Sequence, residues 1–355
     1  MKSFLIGLGI AATFPALTIL AGCSASSPNP STVAAALEGR QAQRGLTQFH
    51  RIAAPATAMA GIYVSAYSDT SILGFKSDYR RGRGPMCVVY SGYVWPNGIA
   101  ADGEGNLIVP RQIDDTLAVY SGPGMCGTKL GEFRDPYGPP VNAASLNAAT
   151  GVIAVANAHD RGHLERRVGG LVLCTLKRCT KKLTNPNITG YAFGVAVAKN
   201  GDCWLASENA GYAGAALTYW PSCTGPGEAA TGFMNASYGG LSIDKNGNLV
   251  SVDVIGGASG GGQLWVYSGC NPACTVVGGP FPLQGNPMQG ALNGKGDTFG
   301  VMETNGAIGG NITQGGSVDI YAYSPTKLSY KYSFATGLAP AASPEGFAYS
   351  PALQQ

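Results

Sequence analysis

Five polar residues stand at corresponding points of a repeating strand pattern, each where a strand is predicted to give way to a loop: Arg111, Asn157, Glu208, Asp253 and Glu303. Binding groups gather on loops carried by a rigid scaffold, so these five form a candidate ligand face. The alternative is that they only solvate the loop ends. The sharper catalytic signatures fall short. His159 and His163 have the spacing of two zinc ligands on a helix, but Gly162 lies between them and no predicted element there is helical. Gly257-Ala258-Ser259-Gly260-Gly261 matches a nucleophile elbow in letters only, because that elbow needs a strand-to-helix turn and a His partner. The pairs Cys174-x4-Cys179 and Cys270-x3-Cys274 lack zinc-ligand spacing. No Gly-x4-Gly-Lys-Ser/Thr run is present to cradle a phosphate.

The elements that must position the polar set come from a recurring unit. Asn97-Gly98-Ile99-Ala100-Ala101-Asp102 leads into Gly105-Asn106-Leu107-Ile108-Val109, and Gly240-Leu241-Ser242-Ile243-Asp244 leads into Gly247-Asn248-Leu249-Val250. Weaker copies start at Gly194, Gly290 and Gly346, and one starts near Ala143. The spacing of about 50 residues fits four-stranded propeller blades. Third strands such as Thr116 to Ser121 and Gln263 to Ser268 follow, then fourth strands such as Lys129 to Phe133. The Glu345-Gly346-Phe347-Ala348-Tyr349 segment supplies only a first strand, whereas Gly61 to Ser65, Ser71 to Phe75 and Cys87 to Tyr90 supply three with no first strand before them. The expectation is an all-β, six-bladed β-propeller over residues 59–351, closed by pairing of its N- and C-terminal strands, which leaves no unpaired inner edge. A β-sandwich or a seven-bladed ring is the competing architecture.

The Gly-Ile-Ala-Ala-Asp-Gly-x-Gly-Asn-Leu wording resembles an NHL repeat, and the Pro96-Asn97-Gly98 start resembles the senescence marker protein and gluconolactonase propellers. That resemblance implies a divalent cation, calcium or zinc, held at the residue before the first-strand glycine of several blades, where it could activate water for lactone opening. The matching positions are Asn97 and Glu345, which carry oxygen donors in the expected places, and Ala143, Phe193, Gly239 and Gln289, which depart from the ligand pattern. Asn97 and Glu345 are thus weak metal candidates, and no cofactor is otherwise expected.

Nine cysteines include Cys23, leaving eight, an even number suited to an oxidising compartment. The repeat register puts all eight on one face of the disc, opposite the loops that join second to third strands. It pairs Cys174 with Cys179, Cys270 with Cys274 and Cys203 with Cys223, and leaves Cys87 with Cys126 by elimination.

At the N-terminus, Met1-Lys2 and the uncharged run Phe4 to Leu20 read as a secretory signal, ending in Leu20-Ala21-Gly22-Cys23. That tetrad resembles a bacterial lipobox. It implies a signal peptide over 1–22 and a lipidated Cys23, with Ser24 favouring the outer membrane if the source is diderm. Residues 23–58 read as a flexible tether. Only 12% of residues are charged, against 53 Gly and 22 Pro, and the net charge of +3 gives no case for nucleic acid binding. The expected protein is a monomeric, lipid-anchored envelope propeller that binds a protein, peptide or glycan without catalysis. The alternative is a metal-dependent hydrolase of lactones or related esters.

Overall fold

The computed structural model describes residues 61–66, 70–79, 84–90, 96, 98–102, 105–121, 128–147, 151–158, 168–209, 214–237, 239–254, 261–303, 316–337 and 344–350. Residues 1–58 with Cys23, read from sequence as a signal peptide and tether, lie outside these residues, as do Asn97, Cys126, residues 159–167 with their two histidines and most of the 257–261 motif. The side chain of Glu345 is also not described. The chain divides into two units, Met1–His50 and Arg51–Gln355, and all described residues belong to the second.

Six four-stranded sheets account for the strands. Blade 1 consists of β1 (Ile62–Ala66), β2 (Ser71–Phe75) and β3 (Cys87–Tyr90), joined by the last strand of the chain, β24 (Pro344–Tyr349). Blade 2 is β4 (Ala100–Ala101), β5 (Leu107–Arg111), β6 (Thr116–Tyr120) and β7 (Lys129–Arg134), and blade 3 is β8 (Pro140–Asn147), β9 (Val152–Asn157), β10 (Gly170–Cys174) and β11 (Cys179–Leu183). Blade 4 is β12 (Ala192–Val197), β13 (Cys203–Glu208), β14 (Ala215–Trp220) and the two-residue β15 (Glu228–Ala229). Blade 5 is β16 (Leu241–Ile243), β17 (Leu249–Asp253), β18 (Gln263–Ser268) and β19 (Thr275–Pro282), and blade 6 is β20 (Pro287–Leu292), β21 (Thr298–Glu303), β22 (Ser317–Ser324) and β23 (Lys327–Ala335).

The ring closes as the strand inventory requires. β24 pairs antiparallel with β1, Ile62 opposite Tyr349 and Val64 opposite Phe347. Each innermost strand touches the next around the axis: β24 to β4, β4 to β8, β8 to β12, β12 to β16, β16 to β20 and β20 to β24. This is a six-bladed β-propeller, and one hydrophobic core lies at each blade interface. Tyr63, Ile72, Ile99 and Leu107 join blades 1 and 2, and Leu171, Val195, Leu205 and Trp220 join blades 3 and 4. Phe347, Phe334, Phe75 and Val318 join blades 6 and 1.

Layering explains the low charge. Middle strands such as β9, β13, β17 and β21 are buried along almost their whole length because a blade packs on both of their faces, while the outer strand β7 is exposed except at Phe133. Apolar runs such as Val152-Ile153-Ala154-Val155-Ala156 suit strands buried on both sides.

The turn between first and second strands recurs in one form. Asp102 Oδ1 accepts from the Asn106 N–H at 2.7 Å, Asp244 Oδ1 from the Asn248 N–H at 2.9 Å, and Asn293 Oδ1 from the Asp297 N–H at 3.1 Å. Gly105 and Gly247 take φ of 88° and 81° there, a left-handed conformation that glycine adopts without strain from a Cβ. The Asp-x-x-Gly-Asn wording of the repeat is this turn.

Disulfides join Cys174 to Cys179, Cys203 to Cys223 and Cys270 to Cys274. Each sits at the end of the blade that carries these short turns. Cys87 is disulfide-bonded as well; the other six described cysteines are taken, so its partner is Cys126 or Cys23. Of nine cysteines seven are therefore bonded, and one of the remaining two is the Cys87 partner. Unreduced protein denatured in guanidinium should titrate no more than one free thiol with Ellman's reagent. Two or more would refute this framework.

Candidate functional site

The polar residues at the second-strand exits occupy one structural position, the last residue of β5, β9, β13, β17 and β21. In three blades that residue holds the chain segment arriving from the previous blade. Asn157 Nδ2 donates to the Gly138 carbonyl at 3.0 Å, ahead of β8. Asp253 accepts from the N–H groups of Ala236 and Ser237, both at 2.9 Å, ahead of β16. Glu303 Oε1 accepts from the Tyr321 hydroxyl at 3.5 Å, and the hydroxyl oxygen accepts from the Gln284 N–H at 3.2 Å, ahead of β20. All three side chains are buried, and an exit residue that orders an incoming connection in this way satisfies backbone groups that burial would otherwise orphan. In blade 4 the backbone does the same work, the Glu208 N–H donating to the Tyr191 carbonyl at 2.8 Å. Arg111 instead pairs with Asp114 at 2.8 Å and with Glu132.

Carboxyls on this face are held toward their neutral forms. Burial, reinforced by the charge of Asp319 and a hydrogen bond with it, pushes Glu303 up to about 9. Both side chains are fully buried, Ser317 Oγ donates to Asp319 Oδ1 at 3.2 Å, and Glu303 Oε2 has no donor among the described residues. A neighbouring carboxylate disfavours a second negative charge, which holds Glu303 toward its neutral form. Burial likewise pushes Glu208 up to about 7 and Asp135, in the connection ahead of β8, up to about 6.

The axis is closed at its loop-face end. Gln289, the third residue of β20, reaches across it. Its Oε1 accepts from the N–H groups of Ile99 at 3.0 Å and Phe347 at 2.9 Å, and its Nε2 donates to the Ile99 carbonyl at 3.0 Å and to Asn142 Oδ1 at 3.1 Å. One amide from blade 6 thereby binds blades 1, 2 and 3. The inner strands crowd together around it: a Cβ on Gly98 would lie 2.0 Å from Asn142 Oδ1, and one on Gly194 would lie 2.1 Å from the Gly239 carbonyl oxygen.

The two oxygen donors that the lactonase resemblance implies, Asn97 and the Glu345 side chain, lie outside what is described. Asn142 of blade 3 reaches Gln289, and β8 is bulged against β9 between Pro140 and Asn142 and again between Ala143 and Leu146. Asn142 and Gln289 bond each other, Phe193 and Gly239 bring no side-chain oxygen, and no group of three or more His, Cys, Asp or Glu among the described residues could hold a metal. Sequence reasoning missed Asn142, and it noted Gln289 only as a departure from the ligand pattern.

On the opposite face, a cleft of about 450 Å³ lies between blades 4 and 5, floored by Asp202, Trp204 and Asp244 and rimmed by Lys199 and Asn271. Both aspartates are hydrogen-bonded, Asp202 with Ser222 N–H and Tyr219 OH and Asp244 with Asn248 N–H and Tyr323 OH.

No family model and no curated protein matches the sequence. Among solved structures the chain is similar to a periplasmic gluconolactonase of Pseudomonas aeruginosa, with a TM-score of 0.51 and 12% identity over 82% of this chain and 99% of that one. It is also similar to a gluconolactonase of Xanthomonas campestris (TM-score 0.48, 13% identity, 70% and 83% covered) and to the WD40 propeller domain of Doa1 (0.46, 15%, 68% and 71%). The likeness to the Pseudomonas protein shows the β-propeller fold.

Proposed function

We propose that the chain is a lipid-anchored, extracytoplasmic propeller whose loop face binds a protein, peptide or glycan ligand without transforming it. The observation that carries this reading is the contrast between the two faces. One is closed by short hydrogen-bonded turns and disulfides. The other is where β9, β17 and β21 end, at exit residues that order the incoming connections, and residues 158–169, 254–262 and 304–316 link those strands to the next. Disulfides support an oxidising compartment, and the lipobox-like Leu20-Ala21-Gly22-Cys23 supports anchoring through acyl chains on Cys23. The preceding segment 1–22 is then a signal peptide and 23–58 a tether.

Two measurements test it. Wild type should take up a palmitate label and partition with membranes, and Cys23→Ala should do neither; a labelled, membrane-bound Cys23→Ala protein refutes the anchor. Peptide and glycan arrays probed with wild type, and with a variant whose segments 255–260 and 305–314 are replaced by short Gly-Ser turns, should show binding lost by at least about tenfold with the thermal midpoint unchanged. Equal binding by the two proteins refutes the loop face.

A further inference from the structure

We infer that the axis of this propeller is a closed, hydrogen-bonded seam in which the Gln289 amide stands where the lactonase resemblance places a divalent ion, and that no axial metal centre forms. Gln289 makes four hydrogen bonds to three other blades at 2.9–3.1 Å, using both lone pairs of its oxygen and both protons of its nitrogen. An amide so satisfied has no donor atom left for a cation. Its partners are the first-strand entries themselves: Ile99 lies two residues beyond Asn97, and Phe347 lies two residues beyond Glu345. The amide therefore lies between the entries of the two strands that bring in the matching oxygen donors.

The glycines on the inner strands make the seam possible. Gly98 admits Asn142, Gly194 admits the Gly239 carbonyl, and the Gly240 backbone comes so near Gln289 that a Cβ there would meet its Cα at 3.1 Å. A side chain at any of these positions would spread the ring, and an ion would need that space for its own ligand shell, since calcium takes six to eight oxygens at about 2.3–2.6 Å. Gln289 is 7% exposed and Asn142 is 1% exposed. Desolvation at that depth makes the exchange of satisfied amide bonds for partly liganded metal unfavourable.

The inference goes beyond the loop-face reading and stands without it, because it concerns the axis alone. The test uses detergent-solubilised full-length protein, wild type and Gln289→Ala, with Glu345→Ala as a control. Calcium and zinc chloride are titrated calorimetrically, and thermal midpoints are read with and without EDTA. The expected results are no saturable heat in wild type up to about 1 mM metal, a midpoint indifferent to EDTA, and a midpoint lowered by at least about 3 °C in Gln289→Ala. Failure of Gln289→Ala to fold counts as that loss, and the wild-type titration then stands on its own. Two results would overturn the inference: wild-type metal binding tighter than about 100 µM that Glu345→Ala removes, or a Gln289→Ala midpoint equal to that of wild type.

Discussion

A chain that stops at residue 343 should fail to form the propeller. The deletion removes β24, the innermost strand of blade 1, and with it Phe347, Ala348 and Tyr349, which are 0%, 3% and 4% exposed. Phe347 and Tyr349 belong to the core between blades 6 and 1, and Ala348 to the core between blades 1 and 2, so both seams next to the first blade lose packing. Emptying a buried aromatic site costs about 3–5 kcal/mol, and each lost ladder hydrogen bond about 1 kcal/mol. Two aromatics and a strand ladder are then comparable with the whole stability of a typical domain, about 5–15 kcal/mol. The inner edge of β1 would also be left open, a template for intermolecular pairing. Size-exclusion chromatography and near-ultraviolet dichroism should show aggregation and loss of the aromatic signal. A monomeric truncated protein with the wild-type midpoint would show that closure does not depend on this strand.

Stability should fall as pH rises from about 5 to about 9. The folded state keeps the Glu303 proton up to about 9, whereas the unfolded chain releases it near 4.5. Between those values the unfolded state binds fewer protons, so the stability this group contributes, complete below about 4.5, is lost as pH rises through the folded value. The steepest contribution of one proton is about 1.4 kcal/mol per pH unit. Glu208, held up to about 7, and Asp135, held up to about 6, act in the same direction over narrower windows. Glu303→Gln keeps the shape of the side chain and removes the titration, so its urea midpoints from pH 5 to pH 9 should be flatter than those of wild type. Equal slopes in the two proteins would assign the pH dependence elsewhere.

Blade number, ring closure and the positions of the turns were legible in the sequence because each is written locally. Asp102 with Asn106 and Asp244 with Asn248 form their turn within five residues, and the orphan first strand near Gly346 could pair only with the three-strand set at Gly61. The short β15 was not legible, since the Gly- and Pro-containing stretch from Pro221 to Gly227 replaces most of a fourth strand with turns. The polar exit residues were found, but their work was not, because what Asn157, Asp253 and, through Tyr321, Glu303 order is a connection some 15–20 residues earlier whose path no periodicity describes. Gln289 was the least legible. Its bonds to Ile99 and Asn142 span 190 and 147 residues, and a reach across an axis leaves no trace in alternation or spacing.

The pairing of β24 with β1 also sets an order of events. Val64 and Phe347 face one another across nearly the whole length of the domain, so the first blade cannot be completed until Pro344–Tyr349 have been made and delivered. A chain emerging from a ribosome or an export pore, N-terminus first, must hold three strands of blade 1 unfinished while five blades follow. Such a chain remains threadable until β24 emerges, and becomes a ring only where that strand does.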